Sequence, residues 1–212
     1  MTVMTKRNNT VIIGGEGMPR ALTEQEKCRL CNRLLEKGKT VVLAQGIKKA
    51  SVDDIAKAAG MAKGSFYQHF DSKEKYLFEL VDDIHRHIFA QAEQMIRKGS
   101  DLRTDTRTFL MNLFHMPEMI FFSKNYQEIN MLLESLPDGE AQSAAQIELA
   151  MFEKLLLLAG VDIQKVKPGV VNNYLHTLYL IMGSDIMIED DLPETFERIM
   201  DDLISYIFGG AL

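Results

Sequence analysis

Long apolar runs are missing from this 212-residue sequence: none approaches the roughly 18 residues needed to cross a bilayer. The first twenty residues have no apolar stretch of leader length either, so a cytoplasmic location is expected. Cysteine is scarce. Two residues exclude a disulfide framework. Fourteen Gly and five Pro are too few for an all-β fold rich in turns. Enzymatic signatures are lacking as well: there is no nucleophile elbow, dinucleotide fingerprint or metal-ligand pair at helical spacing. The cluster Gly14-Gly15-Glu16-Gly17 lacks the Lys and Ser/Thr of a phosphate loop. No catalytic residue, cofactor or metal is therefore expected. Positive charge is short overall, with 24 Lys plus Arg against 30 Asp plus Glu and a net of −6, which by itself argues against a nucleic-acid partner. What is present is a folded chain's composition, 46% hydrophobic and 25% charged.

The distribution of charge reverses the argument from the total. From Arg20 to Tyr76 there are 12 basic and 7 acidic residues, a net of +5. From Leu77 to Leu212 there are 10 basic and 22 acidic, a net of −12. A basic module joined to an acidic one suggests that the first meets a polyanion. Chance clustering on solvated helix faces is the competing explanation.

Periodicity is helical from Thr23 onward. Thr23 and Glu26 form a capping box, and the first helix runs to Gly46 with Gly38 inside it as a place for close helix approach. Ser51 opens a second helix whose apolar face is Val52, Ile55, Ala56 and Ala59, stopped by Gly60. A third is expected from Lys63 to Phe70, with Phe66 and Phe70 in the core. A long fourth begins near Lys73 and runs to about Lys98. Further helices are expected over Asp101 to Met116, Glu118 to Leu136 (broken near Ser123), Ala141 to Ala159, and Pro168 to about Glu189. The turn Pro137-Asp138-Gly139 divides two of these, and Pro193 opens the last helix. No stretch alternates as a strand does, so the fold class is all-α.

Two short helices joined by a Gly-containing turn, after a longer helix, make a helix-turn-helix pattern, which places its second helix in the major groove. Lys63, Ser65, Tyr67, Gln68 and His69 supply donors and acceptors on that second helix. The run from Ser51 to Glu74 resembles the DNA-binding signature of the TetR family of transcriptional repressors over about Leu34 to Leu80. The resemblance implies that Lys63, Gly64, Ser65, Tyr67, Gln68 and His69 lie on the recognition helix. Tyr67, His69 and Lys73 match positions that touch phosphates, and Ser51 matches a phosphate contact at the second helix's start. Gly64 matches a site where a side chain would obstruct DNA. Ala62 departs from the common capping Ser.

Residues 1–20 show no helical or strand periodicity and are expected to form a flexible arm; the resemblance implies a DNA-binding domain over 21–72 and a helical effector-binding and dimerisation domain over 73–212. It also implies a homodimer on a pseudopalindromic operator. The dimer surface expected from the last two helices is Val171, Tyr174, Leu178, Ile181 and Met182, with Phe196, Ile199, Met200, Leu203 and Ile207. An intramolecular core is the competing assignment for these stripes. The middle helices are expected to enclose an apolar or amphipathic effector of unknown identity, among Phe109, Phe114, Met119, Phe122, Tyr126, Met131, Phe152 and Tyr174. Thirteen methionines suit adaptable apolar packing. Ordinary core packing competes for each residue taken singly.

Cys28 and Cys31 read as small hydrophobes on the apolar face of the first helix, since zinc wants four ligands. A thiol-redox switch through them, or a DNA-binding regulator with no small ligand, is the alternative function. His85 and His87, two apart on a helix, do not converge on one metal. His115 and His176 read as lone core or surface histidines.

Overall fold

Thr23 opens α1 (Glu24–Gln45) with the full capping box: its hydroxyl accepts from Glu26 N–H, and the Glu26 carboxylate accepts from Thr23 N–H at 2.8 Å. The computed structural model describes residues 23–135, 140–185 and 187–209. The expected arm over 1–20 and the turn at Pro137-Asp138-Gly139 lie outside the described residues. The described residues are helical with no strand, as the periodicity requires: α2 (Val52–Ala58), α3 (Lys63–Phe66), α4 (Lys73–Lys98), α5 (Leu102–Phe114), α6 (Pro117–Lys124), α7 (Tyr126–Glu134), α8 (Glu140–Leu158), α9 (Pro168–Met182) and α10 (Leu192–Phe208). None of these helices is long and apolar enough to cross a membrane.

Three boundaries differ from the periodicity. The third helix has one α-turn, not two. Ala62 gives it no side-chain cap, and Gly64 weakens it from inside. Residues 67–70 continue as hydrogen-bonded turns, with His69 N–H donating to the Phe66 carbonyl at 2.9 Å. The break in the middle helices falls at Asn125 rather than near Ser123, because the Asn125 side chain donates to the Phe121 carbonyl and ends α6. α9 stops at Met182, short of Glu189. Its C-terminal Gly183 lies against the Ser123 backbone, where a Cβ would collide with the carbonyl. The ends of α6 and α9 therefore meet at a contact that only glycine permits.

Two hydrophobic cores result. The first joins α1, α2 and α3 to the start of α4 through Leu34, Ile55, Phe66, Tyr76 and Leu80, and continues into α6 and α7 at Phe122, Ile129 and Leu132. The second is built by α5, α8, α9 and α10. Arg107 of α5 pairs with Asp201 of α10 at 2.7 Å, and Arg103 donates to the Gly209 carbonyl at 2.8 Å, serving the free end of α10.

Candidate nucleic-acid interface

The three-helix head is held by small residues on one side and aromatic rings on the other. A Cβ at Gly38 would sit on Tyr76 Oη and Ile55, so α1 passes α4 and α2 at a distance only glycine allows. Tyr76 is fully buried and donates its hydroxyl to the Leu34 carbonyl at 3.1 Å, and burial pushes its pKa up. Phe66, Phe70 and Tyr76 form a mutual cluster with ring centroids 5.1–5.4 Å apart. Phe66 and Phe70 are thus core, as the spacing requires. Gly60 has φ +67°, and with Met61 N–H bonded to the Ala56 carbonyl it closes α2 in a Schellman turn.

That packing leaves one face of α3 and its following turn outward. Lys63, Gly64, Tyr67 and Gln68 are exposed, Tyr67 by 49% even with its ring edge on Phe66. A Cβ built at Gly64 meets nothing within 4 Å. Its backbone angle is not left-handed either, so nothing inside the chain calls for glycine there.

The other expected contact residues are placed less simply. Ser65 and His69 are half-buried, not displayed. His69 has its Nε2 enclosed without a partner, and burial with nearby Lys27 holds its imidazole below the usual range. It is turned toward α1 because the chain turns after Phe66 instead of extending the helix. Lys63 is paired with Asp53 at 2.9 Å, and that hydrogen bond raises its pKa. Ser51 is the N-cap of α2: its hydroxyl accepts from Asp54 N–H at 3.1 Å and donates to the Asp54 carboxylate at 2.6 Å. Lys73 donates to the Lys48 carbonyl at 3.1 Å, joining the start of α4 to the α1–α2 loop.

Behind the head lies a cavity of about 440 Å³ between α4 and α5–α9. Phe109, Phe114, Met119, Phe122, Tyr126 and Phe152 of the expected effector set line it. Met131 and Tyr174 do not. Met131 is 62% exposed, and Tyr174 stacks on Tyr206 of α10. Both sit on helices that contribute to the cavity, but on faces turned away from it. The sequence reading missed the cavity's polar residues, among them His85, Glu148, Asn172 and His176. Nothing in the sequence marks them: Asn172 and His176 are four apart on α9, but so are the neighbouring Asn173 and Thr177.

The stripes expected at a subunit surface are largely the chain's own core. Val171, Leu178, Ile181, Phe196, Met200, Leu203 and Ile207 are buried, while Tyr174, Met182 and Ile199 are half-buried. They are consumed because α10 packs between α9 and α5. The large apolar residues left in the open on α8 and α9 are Ile147, Leu149 and Leu157 of α8, the last 54% exposed, and Leu180 of α9. Cys28 is exposed rather than buried, and Cys31 is half-buried against the first core. Burial, with Glu79 and Cys28 adding, pushes the Cys31 thiol up and suppresses its thiolate. Among the described residues no group of three or more His, Cys, Asp or Glu is placed to hold a metal.

The family model for bacterial regulatory proteins of the tetR family matches residues 34–80, which span the head. The HTH-type transcriptional repressor KstR2 of Mycolicibacterium smegmatis is 35% identical over 164 residues, covering 65% of this chain and 80% of that protein. The first curated relatives are matched over only about a third of their own length. Two solved structures share the fold. A TetR-family regulator from Pectobacterium atrosepticum has a TM-score of 0.64 at 16% identity, covering 86% of this chain and 94% of that one. The regulator FadR from Bacillus subtilis, in complex with stearoyl-CoA, has a TM-score of 0.52 at 15% identity, covering 82% and 98%. With the helix-turn-helix head, the all-helical body and a repressor matched over most of its length, this chain belongs to the TetR family of bacterial transcriptional regulators.

Proposed function

We propose that this chain is a ligand-responsive transcriptional repressor that binds a pseudopalindromic operator as a homodimer and is released by an apolar or amphipathic effector. In this reading residues 21–72 are the DNA-binding domain and residues 73–212 the effector-binding and dimerisation domain. Gly64 carries the DNA half of the proposal. A glycine in a helix costs up to about 1 kcal/mol relative to alanine, and nothing inside the chain repays that cost. A surface that must approach DNA closely accounts for it. Tyr67, Gln68 and Lys63 flank it as donors to phosphates and base edges, with Lys63 leaving Asp53 for a stronger polyanion. Ser65, His69, Ser51 and Lys73 complete the contact set at its margin.

The effector half rests on the cavity. Its size falls within the usual range for small-molecule sites, and its walls are mostly aliphatic and aromatic. Its connection to the head is direct. Phe122 of α6 belongs both to the first core and to the cavity wall, and Glu118 of α6 pairs with Lys39 of α1 at 2.8 Å. Lys48, beside the head's first turn, pairs with Glu128 of α7 at 3.0 Å. A ligand that favours another setting of α6 and α7 changes the spacing of two reading heads, to the extent of its differential affinity for the two settings.

Selection of bound duplexes from a random-sequence pool, by purified protein at fixed moderate salt, tests the DNA reading. The expected product is a pseudopalindrome with half-sites one helical turn apart, about 34–36 Å. Its affinity should fall steeply with added salt. A folded, dimeric protein that enriches no sequence refutes the DNA reading.

A further inference from the structure

Four polar residues of the cavity wall lie near one another. His85 of α4 lies within electrostatic reach of Glu148 of α8 and His176 of α9, and Asn172 hydrogen-bonds His176 at 3.3 Å. The fixed charge of this patch has one sign. Arg86 is the sole Lys or Arg lining the cavity among the described residues. It is already held by Asp82 at 2.9 Å and by Asp83 at 3.6 Å. Glu148 is half-buried and, among the described residues, has no cationic partner within ion-pair distance. Burial holds His85 below its ordinary value against the opposing pull of Glu148.

We propose that the effector's polar end is a hydrogen-bond donor without negative charge, a hydroxyl or an ammonium group on an apolar body, seated on the patch of His85, Glu148, Asn172 and His176. This rests on the reading of the cavity as the effector site and names the class of molecule it takes. A donor satisfies the Glu148 carboxylate and the carbonyl oxygen of the Asn172 amide. A ligand carboxylate or phosphate meets the reverse. It meets Glu148 beside the exposed His176 with no free Lys or Arg to receive it, so like charge opposes it. Free fatty acids and coenzyme A thioesters with their charged heads on this patch are thereby disfavoured. For an ammonium, the aromatic walls add attraction to the ring faces.

Nile red, a neutral apolar dye, serves as the cavity probe, with decanol, decylamine and decanoate as competitors of equal chain length below their micellar concentrations. Decanol and decylamine should displace the dye at concentrations about tenfold lower than decanoate. In Glu148→Gln the advantage of decylamine over decanoate should shrink to within about threefold, with dye uptake retained. An amine that outcompetes the alcohol identifies an ammonium effector, and the reverse order a hydroxylated one. Decanoate competing as well as decylamine in the unmodified protein overturns the proposal. So does a ratio that Glu148→Gln leaves unchanged. If Nile red is not taken up at all, the cavity reading itself falls, which is a different failure from a wrong head group.

Discussion

Gly64 and His85 are both out of place by ordinary residue preferences, and each preference gives a measurement. Alanine at 64 finds open space and gains up to about 1 kcal/mol of helix propensity. Gly64→Ala should melt about 2–4 °C higher by differential scanning calorimetry. It should also bind the selected operator more weakly. A variant that melts higher and binds DNA unchanged removes Gly64 from the interface. His85 faces Glu148, Asp82 and His176, and its pKa is held below the ordinary 6.5 by burial. The unfolded chain therefore takes up a proton at this residue at a pH where the folded chain does not. Its contribution to stability is complete above pH 6.5 and is lost as acidification proceeds toward the lowered folded value. Urea melts between pH 7.5 and 5 should show stability falling with pH, and His85→Gln should flatten that slope.

The helices show how far local chemistry reaches. Thr23, Ser51 and Ser72 each accept a backbone N–H at the start of their helix, and Pro168 stands in the first turn of α9. These starts are legible because a cap is satisfied within three residues. The end at Gly183 is not equally legible, since it depends on the Ser123 backbone of another helix. Gly38 is intermediate. The sequence marks it as a weakness in α1, but only the crossing shows what fills the space. Gly38→Ala should destabilise the head by about 1–3 kcal/mol in denaturant titration, because the buried Tyr76 or Ile55 must shift. Alanine there gives helix propensity, so an unchanged midpoint means that the neighbours yield at little cost.

At the scale of the whole molecule, α10 decides what remains for a partner. Its apolar stripe is used largely against α9 and α5, which leaves the half-buried Tyr174, Met182 and Ile199 and the exposed residues of α8 and α9 for a second copy. The exposed Leu157 of α8 and Leu180 of α9 are the proposed contacts, and Leu157→Glu with Leu180→Glu should shift sedimentation from dimer to monomer. Operator affinity should then collapse, since a lone head reads only one half-site. A double variant that sediments as the unmodified dimer moves the interface elsewhere.

By itself the sequence determined the fold class, the three-helix head with Phe66 and Phe70 inward, and the basic segment that carries it. Those features follow from spacing, capping and charge along a few consecutive turns. Tertiary structure alone decided that His69 turns toward α1, that Met131 and Tyr174 face away from the cavity, and that the α10 stripe is core. It also decided that four polar residues from α4, α8 and α9 converge on one wall. An apolar stripe states that a helix face must be buried. Which surface buries it depends on helices far apart in the chain, and their crossing is written in no single segment.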